Sequence, residues 1–500
     1  MTYHRYIFIY LFIHFAFTLS GQIKGDYQWP FGFKNKPPDY PHNAILDFNG
    51  GMVSIIPEYL HMGIDWDRGS ICDDRGRLQY YSNGCFIADS TRHQMKNGGE
   101  INPGRVHNSQ CKGGGYFSVQ SDIFLPAPGK PWLYYMLHRN YYIAKVAPWY
   151  FIEALRYTLI DARGNNGLGE VIAKNVPILE DTTLSGERMT AVRHANLRDW
   201  WIVHAHNGSS KLSVFLLDTS GITETKGYDG TVDGNDGGGW ISFSPDGRRL
   251  ASYTPDGDIE LFDFDRSTGY LSNHLHIEVK WDTFLVGSIA FSPNSRYLYL
   301  NTILDIYQYD MQAEDIGASR IHIGHWDGWR DELRSPVAFL FMERGPDCRI
   351  YIAPASSSRY MSVIMHPDRR GKACDLRQHA LAFPTTKPHG LSHFPNYRLG
   401  FAPVCDSTIL FPLNAVQDIP EMTALLSPNP MRDYMTIDLG SAAVYPVSIR
   451  VTDMRGKVWV RTVTRSAETT IDTGRLPPGM YFVRLSTRDG KTSVRRVIKM

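Results

Sequence analysis

The feature that most constrains this chain is a unit of about fifty residues that recurs along its middle. The clearest copy starts at Trp240 and reads WISFSPDGRRLASYTPDGDIELFDFD, in which aromatic and apolar strands are broken by tight turns. Ser244-Pro245-Asp246-Gly247 suits such a turn, because proline presets the second position and glycine tolerates the last. SIAFSPNSRYLYLNTILDIYQYDM repeats the layout around Pro293, AFLFMERGPDCRIYIAPA around Pro346 and GLSHFPNYRLGFAP around Pro395. Upstream, AVRHANLRDWWIVHAH sets a turn at Asn196, DIFLPAPGKPWLYYMLHRN one near Pro128 and SICDDRGRLQYYSNG one near Arg75. The seven turns stand 53, 68, 49, 48, 53 and 49 residues apart, and an insertion around Tyr141 to Ala154 accounts for the long interval.

A unit of this length with several strands cannot cover both of its faces, so the copies must pack on one another in a ring. The spacing predicts an all-β chain with a seven-bladed β-propeller, or six blades if the Pro395 unit supplies only a closing strand. Ala44–Tyr59, AILDFNGGMVSIIPEY, is expected to complete the last blade and close the ring with both chain ends. A two-sheet sandwich also has short alternating strands, but seven in-register turns count against it.

Composition fits this reading. Aromatics at 13% with 44 glycines and 29 prolines favour strands and turns. A net charge of +1 with 43% hydrophobic residues excludes a disordered acidic or basic chain, and gives no electrostatic reason to expect nucleic acid.

Arg5, the apolar run Tyr6–Leu19 and the small residues Ser20 and Gly21 form a secretory leader over residues 1–21. The run is too short for a bilayer and His14 interrupts it. Export makes disulfides available to Cys72, Cys85, Cys111, Cys348, Cys374 and Cys405, at most three, with the pairing open and buried free thiols the alternative. The ring is assigned to residues 22–412, a linker to 413–422, and a separate module to 423–500.

In that module the fifty-residue rhythm stops and short alternating strands follow, enough for a small Ig-like β-sandwich. Ser427-Pro428-Asn429-Pro430, the hairpin Asp453–Gly456, the run Leu476, Gly479 and Tyr481, and the basic end Arg495-Arg496-Val497-Ile498-Lys499 occur in order. With these motifs the segment resembles the type A C-terminal sorting domain of the type IX secretion system. The resemblance implies recognition by an outer-membrane translocon and its sortase machinery. It also implies attachment to surface lipopolysaccharide and a cell-surface or extracellular destination. The ring in turn resembles secreted WD40-like propeller proteins bearing this tail, through SICDDRGRLQYYSNGCFIADS, RHANLRDWWIVHAH, FDFDRSTGYLSN and FSPNSRYLYL. That second likeness implies the fold and brings no reaction with it.

Candidate chemistry is sparse. His194 and His393 each stand two residues before a turn, where Phe243, Phe291 and Arg344 stand in other units. First strands line a propeller's channel, so His194, Arg344 and His393 could form a catalytic, anion or metal site, or else face neighbouring blades as the phenylalanines would. His204 and His206 share one strand face, as a metal pair or as core histidines. Asp229, Asp233 and Asp236 in GYDGTVDGNDGGG could offer oxygen ligands to calcium, though the EF-hand spacing is not met; no cofactor is otherwise required. His322 and His325 flank strand residues before Trp326 and Trp329, side chains suited to a sugar ring or to inter-blade packing. No G-x-S-x-G, HExxH or P-loop is present. The expectation is an exported binding or interaction propeller, with an extracellular hydrolase or lyase acting on glycans, or a structural subunit of a surface assembly, as alternatives.

Overall fold

A computed structural model describes the chain except residues 1–22, 33–42, 65, 67–68, 113, 117, 144–149, 182–183, 208–209, 231–238, 255–257, 280–285, 384–389, 413–423, 440–444, 454–456 and 488–491. The leader, the linker, Gly456, Asp233 and Asp236 therefore lie outside the described residues. Two compact units are present, Met1–Pro412 and Leu413–Met500. No described helix is long and apolar enough to cross a membrane.

The first unit is a β-propeller, a succession of antiparallel sheets in chain order. Three-stranded sheets over residues 28–58 and 69–88 precede four-stranded sheets over 123–179, 184–228, 240–277, 288–325 and 339–382. First strands pack on first strands: Leu184–Arg193 on Trp240–Phe243, that on Ser288–Phe291, and that on Phe339–Arg344. The residues that alternate inward within each sheet are apolar, as in Leu250, Phe262 and Phe264 against Val192, Trp201 and Val203 of the preceding one. Each such side chain contributes roughly 1.5–3 kcal/mol on burial, so the core lies between sheets rather than inside any one.

Turns after the first strands share one geometry. Asn196, Asp246, Asn294, Asp347 and Asn396 each accept, through a side-chain oxygen, the backbone N–H of the arginine two residues on: Arg198, Arg248, Arg296, Arg349 and Arg398. In the first four the residue between, Leu197, Gly247, Ser295 or Cys348, holds φ of 63°, 70°, 61° or 69°, whereas Tyr397 in the fifth has no positive φ. An Asx side chain supplies the turn's missing bond and so holds a left-handed residue even where glycine is absent. This alignment equates Asn196 with Asp246 rather than with Pro245. The equivalent of Phe243, Phe291, Arg344 and His393 is thus Arg193, and His194 is the first residue of a turn.

The chain ends meet as expected, with a difference in parts. Asn43–Asp47 pairs with Ser54–Glu58, and also with an earlier strand, Gln28–Gly32, that the repeat did not reveal. The Pro395 unit makes no strand among its described residues. It crosses the first sheet instead: Phe394 lies 5.7 Å from Trp29, Val53 N–H donates to Leu410 O at 2.8 Å and Leu410 N–H to Gly51 O at 2.9 Å. The Arg398 guanidinium grips Asp26 at 2.5 and 2.7 Å, with both side chains buried.

Two disulfides form, Cys85–Cys111 and Cys348–Cys405, the second tying the closing segment to the last sheet. Of the six candidate cysteines, Cys72 and Cys374 are buried and belong to neither bridge, the alternative the sequence left open. Cys374, in a short turn of helix at the edge of another sheet, packs in an apolar cluster, and Cys72, at the end of the strand Gly69–Cys72, accepts the Gln28 N–H on its Sγ at 3.2 Å.

The second unit has sheets of three and four strands. Leu425–Ser427, Tyr434–Asp438 and Glu468–Asp472 form one; Val458–Thr464, Val447–Asp453, Gly479–Thr487 and Thr492–Lys499 form the other. Val447, Ile449 and Val451 alternate inward against Tyr481, Val483 and Leu485, with Met435 and Ile437 from the opposing sheet, in one apolar core.

Candidate functional site

The ring's first strands surround a small cavity lined by Thr190, Trp240, Ser242, Glu343, Arg344 and His393, with a volume of about 20 Å³. His393 bridges it. Its Nδ1 lies 3.1 Å from Glu343 Oε2 and its Nε2 3.1 Å from Thr190 Oγ1. The imidazole meets the Trp240 ring edge-on at 5.8 Å, and Trp240 stacks on Phe341 at 5.1 Å. Arg344 N–H donates to Glu343 Oε1 at 3.2 Å, and burial lowers the guanidinium pKa to about 10. Hydroxyl, imidazole and carboxylate follow the order of a nucleophile triad. The cavity, however, admits about one water, so neither a sugar ring nor a peptide reaches the hydroxyl in this state.

The three residues grouped from sequence do not converge. Arg344 and His393 line the cavity. His194 is elsewhere: it stacks on Trp201 at 5.3 Å, accepts the Asn196 N–H and approaches Ser267 O at 3.1 Å. The one-residue offset in the Asn196 turn is the reason. Thr190 and Glu343 carried no signal of their own; a carboxylate beside Arg344 reads in sequence as an ordinary strand residue.

The other candidates resolve individually. His204 and His206 are buried on one strand, but Nδ1 of His204 meets Ala205 O and Nε2 of His206 meets Ser213 Oγ. Burial, with Arg139 and Arg188 nearby, pushes the His204 pKa well down, surroundings that disfavour a bound cation. Asp229 is exposed beyond the strand Gly221–Tyr228. Among the described residues no group of three or more His, Cys, Asp or Glu is placed to hold a metal ion. His322 and His325 both contact Asp305 Oδ1, at 2.7 and 2.9 Å. Trp329 is occupied in packing, stacked on His379 at 4.5 Å and edge-on to Tyr360 at 4.8 Å. Roomier depressions lie away from the cavity: one of about 590 Å³ beside the Cys85–Cys111 bridge, with Glu100, His107 and Lys174, and one of about 460 Å³ with His276, Tyr309 and Arg320.

In the second unit the motif residues have structural duties. Leu476 and Tyr481 enter the core, and Tyr481 OH donates to Pro477 O at 2.7 Å. Asp453 closes its hairpin by accepting from Lys457 N–H and Trp459 Nε1–H. Asn429 Oδ1 accepts the Ile498 N–H at 2.9 Å and Met431 N–H donates to Ile498 O at 2.7 Å, so the SPNP segment holds the last strand. Ser427, Pro428 and Pro430 are exposed, as is Gly479.

No curated protein matches the chain. Among solved structures it is similar to a gluconolactonase from Xanthomonas campestris (10% identity over 65% of this chain and 94% of that one, TM-score 0.30). It is similar to the Dos1 propeller (11% identity, 62% and 70% covered, TM-score 0.34). It is also similar to PorZ, a surface component of the type IX secretion system of Porphyromonas gingivalis (12% identity, 94% and 86% covered, TM-score 0.20). Residues 426–500 match the family described as the secretion system C-terminal sorting domain. With the motifs above in place, this segment is a type IX sorting domain, and it directs export through the outer membrane to the cell surface or the extracellular space.

Proposed function

We propose that this chain is an exported binding protein: a seven-bladed ring that holds a glycan, peptide or other macromolecule on one of its surfaces, carried out of the cell by an Ig-like sorting module. The observation that carries the reading is the union of a sorting domain with a ring whose central cavity holds about 20 Å³. A ligand larger than water must then use outer depressions, of which the one beside Cys85–Cys111 offers Lys174, His107 and Glu100 as polar contacts. Attachment to surface lipopolysaccharide belongs to the same proposal. The test is an array of extracellular polysaccharides and peptides probed with the purified full chain. Saturable binding lost in Lys174→Ala and His107→Ala supports it, and hydrolysis of those polymers at enzyme-like rates overturns it.

The Thr190–His393–Glu343 arrangement supports a second reading, an extracellular hydrolase or lyase whose cavity opens with substrate. His393→Ala decides that case: turnover abolished on an active polymer supports it, and unchanged turnover removes it.

A further inference from the structure

The exposed face of the four-stranded sheet in the sorting module carries three arginines in one transverse row. Arg450 on Val447–Asp453 stands directly opposite Arg461 on one neighbouring strand and Arg484 on the other. All three are exposed, and none is ion-paired among the described residues. Adjacent strands lie about 4.8 Å apart, so the row crosses roughly 10 Å of backbone. Like charges directly opposite destabilise a sheet, and Thr or Val would serve an exposed strand better. Each flanking row holds an exposed apolar side chain among polar ones: Val463, opposite Ser448, lies on one side of the arginines and Phe482, opposite Thr452 and Arg496, on the other. The module's other sheet has the opposite character, with Asp438 directly opposite Glu468 and Asp472 at its edge. From Glu421 on, 13 Lys and Arg face 7 Asp and Glu, and three of the 13 stand in this one row.

We propose that this Arg461–Arg450–Arg484 row, bordered by Val463 and Phe482, is the face by which the sorting module docks on an acidic protein surface of the export machinery. Guanidinium forks pair bidentately with carboxylates, and Val463 and Phe482 need apolar partners between those carboxylates. A layer of anionic lipid headgroups would set charge against both apolar side chains, which favours a protein. The inference rests on the sorting reading, and its test separates the two.

The full chain is expressed in its own cell, and the surface fraction is measured by protease shaving of intact cells. Display is expected to fall at least tenfold in R450E/R461E/R484E and severalfold in R450Q/R461Q/R484Q. D438K/E468K, on the other sheet, is expected to display normally. Melting of the purified variants checks folding. If the glutamate variant does not fold, the glutamine variant, which keeps side-chain bulk and removes charge, decides the question. Normal display of the folded glutamine or glutamate variant overturns the proposal. So does a row-dependent retention on lipopolysaccharide vesicles with display unchanged, which would assign the row to lipid. Deleting Thr423–Met500 reports separately on sorting: if the deletion blocks display and the arginine variants do not, the docking face alone is wrong.

Discussion

The ring and the sorting module are both all-β, but they are held together by different chemistry. The module's core is apolar, from Met431 through Val497, and it contains neither histidine nor cysteine. The ring buries His138, Arg139, His204, Asp122 and the Asp26–Arg398 pair, and carries both disulfides. A two-sheet module satisfies its edges through local strand alternation. A ring must bring its first and last residues together and hold them there, and directional bonds do this where apolar area alone would not. Reductant, acid and charge removal should therefore act on the ring and spare the module.

Arg398→Met is expected to have the largest effect. It leaves Asp26 buried without its cation, a loss of about 3–5 kcal/mol, and a melting scan of the full chain should show the ring transition falling while the module's stays. A variant ring that melts with wild type would show that closure relies on apolar contact alone. Cys348→Ser with Cys405→Ser comes next. Opening a loop of 57 residues costs about 4 kcal/mol on the chain-entropy account, and reductant, which opens Cys85–Cys111 as well, should lower the wild-type ring at least as far. The converse probe is Ile449→Ala in the module core, expected to cost about 3 kcal/mol and to move the module transition only.

Acid should separate the units further. His138 is fully buried between Asn102 Oδ1 and Thr158 Oγ1, and burial lowers its pKa to about 3. A histidine whose folded pKa is depressed contributes stability that is present above about 6.5 and lost as pH falls toward the folded value, at up to about 1.4 kcal/mol per pH unit. His204 acts in the same direction. Asp122 opposes them: burial lifts its pKa to about 7, so it favours the folded ring more as pH drops from 7 toward 4. Burial raises Asp347 as it does Asp122 and lowers His206 as it does His138, so the ring's profile between pH 6.5 and 4 is set by two opposing groups, and removing one member should tilt it while the histidine-free module stays unchanged. Urea midpoints across that window for wild type, His138→Gln and Asp122→Asn measure each contribution; a His138→Gln profile parallel to that of wild type would contradict it.

The two units were also unequally legible. Turn residues are local, so Pro245, Pro293 and Pro346 mark real turns, and the tail's alternation leads straight to its core. Closure is nonlocal: Gln28–Gly32 has no turn motif around it, and the Pro395 segment looks like a unit while making no strand. The candidate site failed for a smaller reason. One position of misalignment at Asn196 put His194 beside His393, although a side chain's facing reverses with every residue along a strand. Aligning on the Asx residue and its following arginine, Asn196 and Arg198 with Asp246 and Arg248, would have pointed to Arg193. Thr190 and Glu343 would still have escaped notice, since nothing in sequence shows which strands face each other across the cavity.

The smallest effect tests the shared turn itself. Ser295 holds φ of 61° where its counterpart Gly247 holds 70°, and a non-glycine residue in that region costs roughly 1–2 kcal/mol. Ser295→Gly removes that strain but also the hydroxyl that accepts Asp246 N–H at 3.2 Å from the neighbouring turn, a bond worth about 1 kcal/mol. Glycine adds freedom to the unfolded chain as well. The three contributions leave a net change within about 1 kcal/mol, and Ser295→Ala, which loses the hydroxyl and keeps the strain, should be the less stable of the two. If alanine equals or exceeds glycine in a melting comparison, the Asx side chain of Asn294 already relieves the strain, and the repeat tolerates any residue at that position because its neighbour supplies the turn.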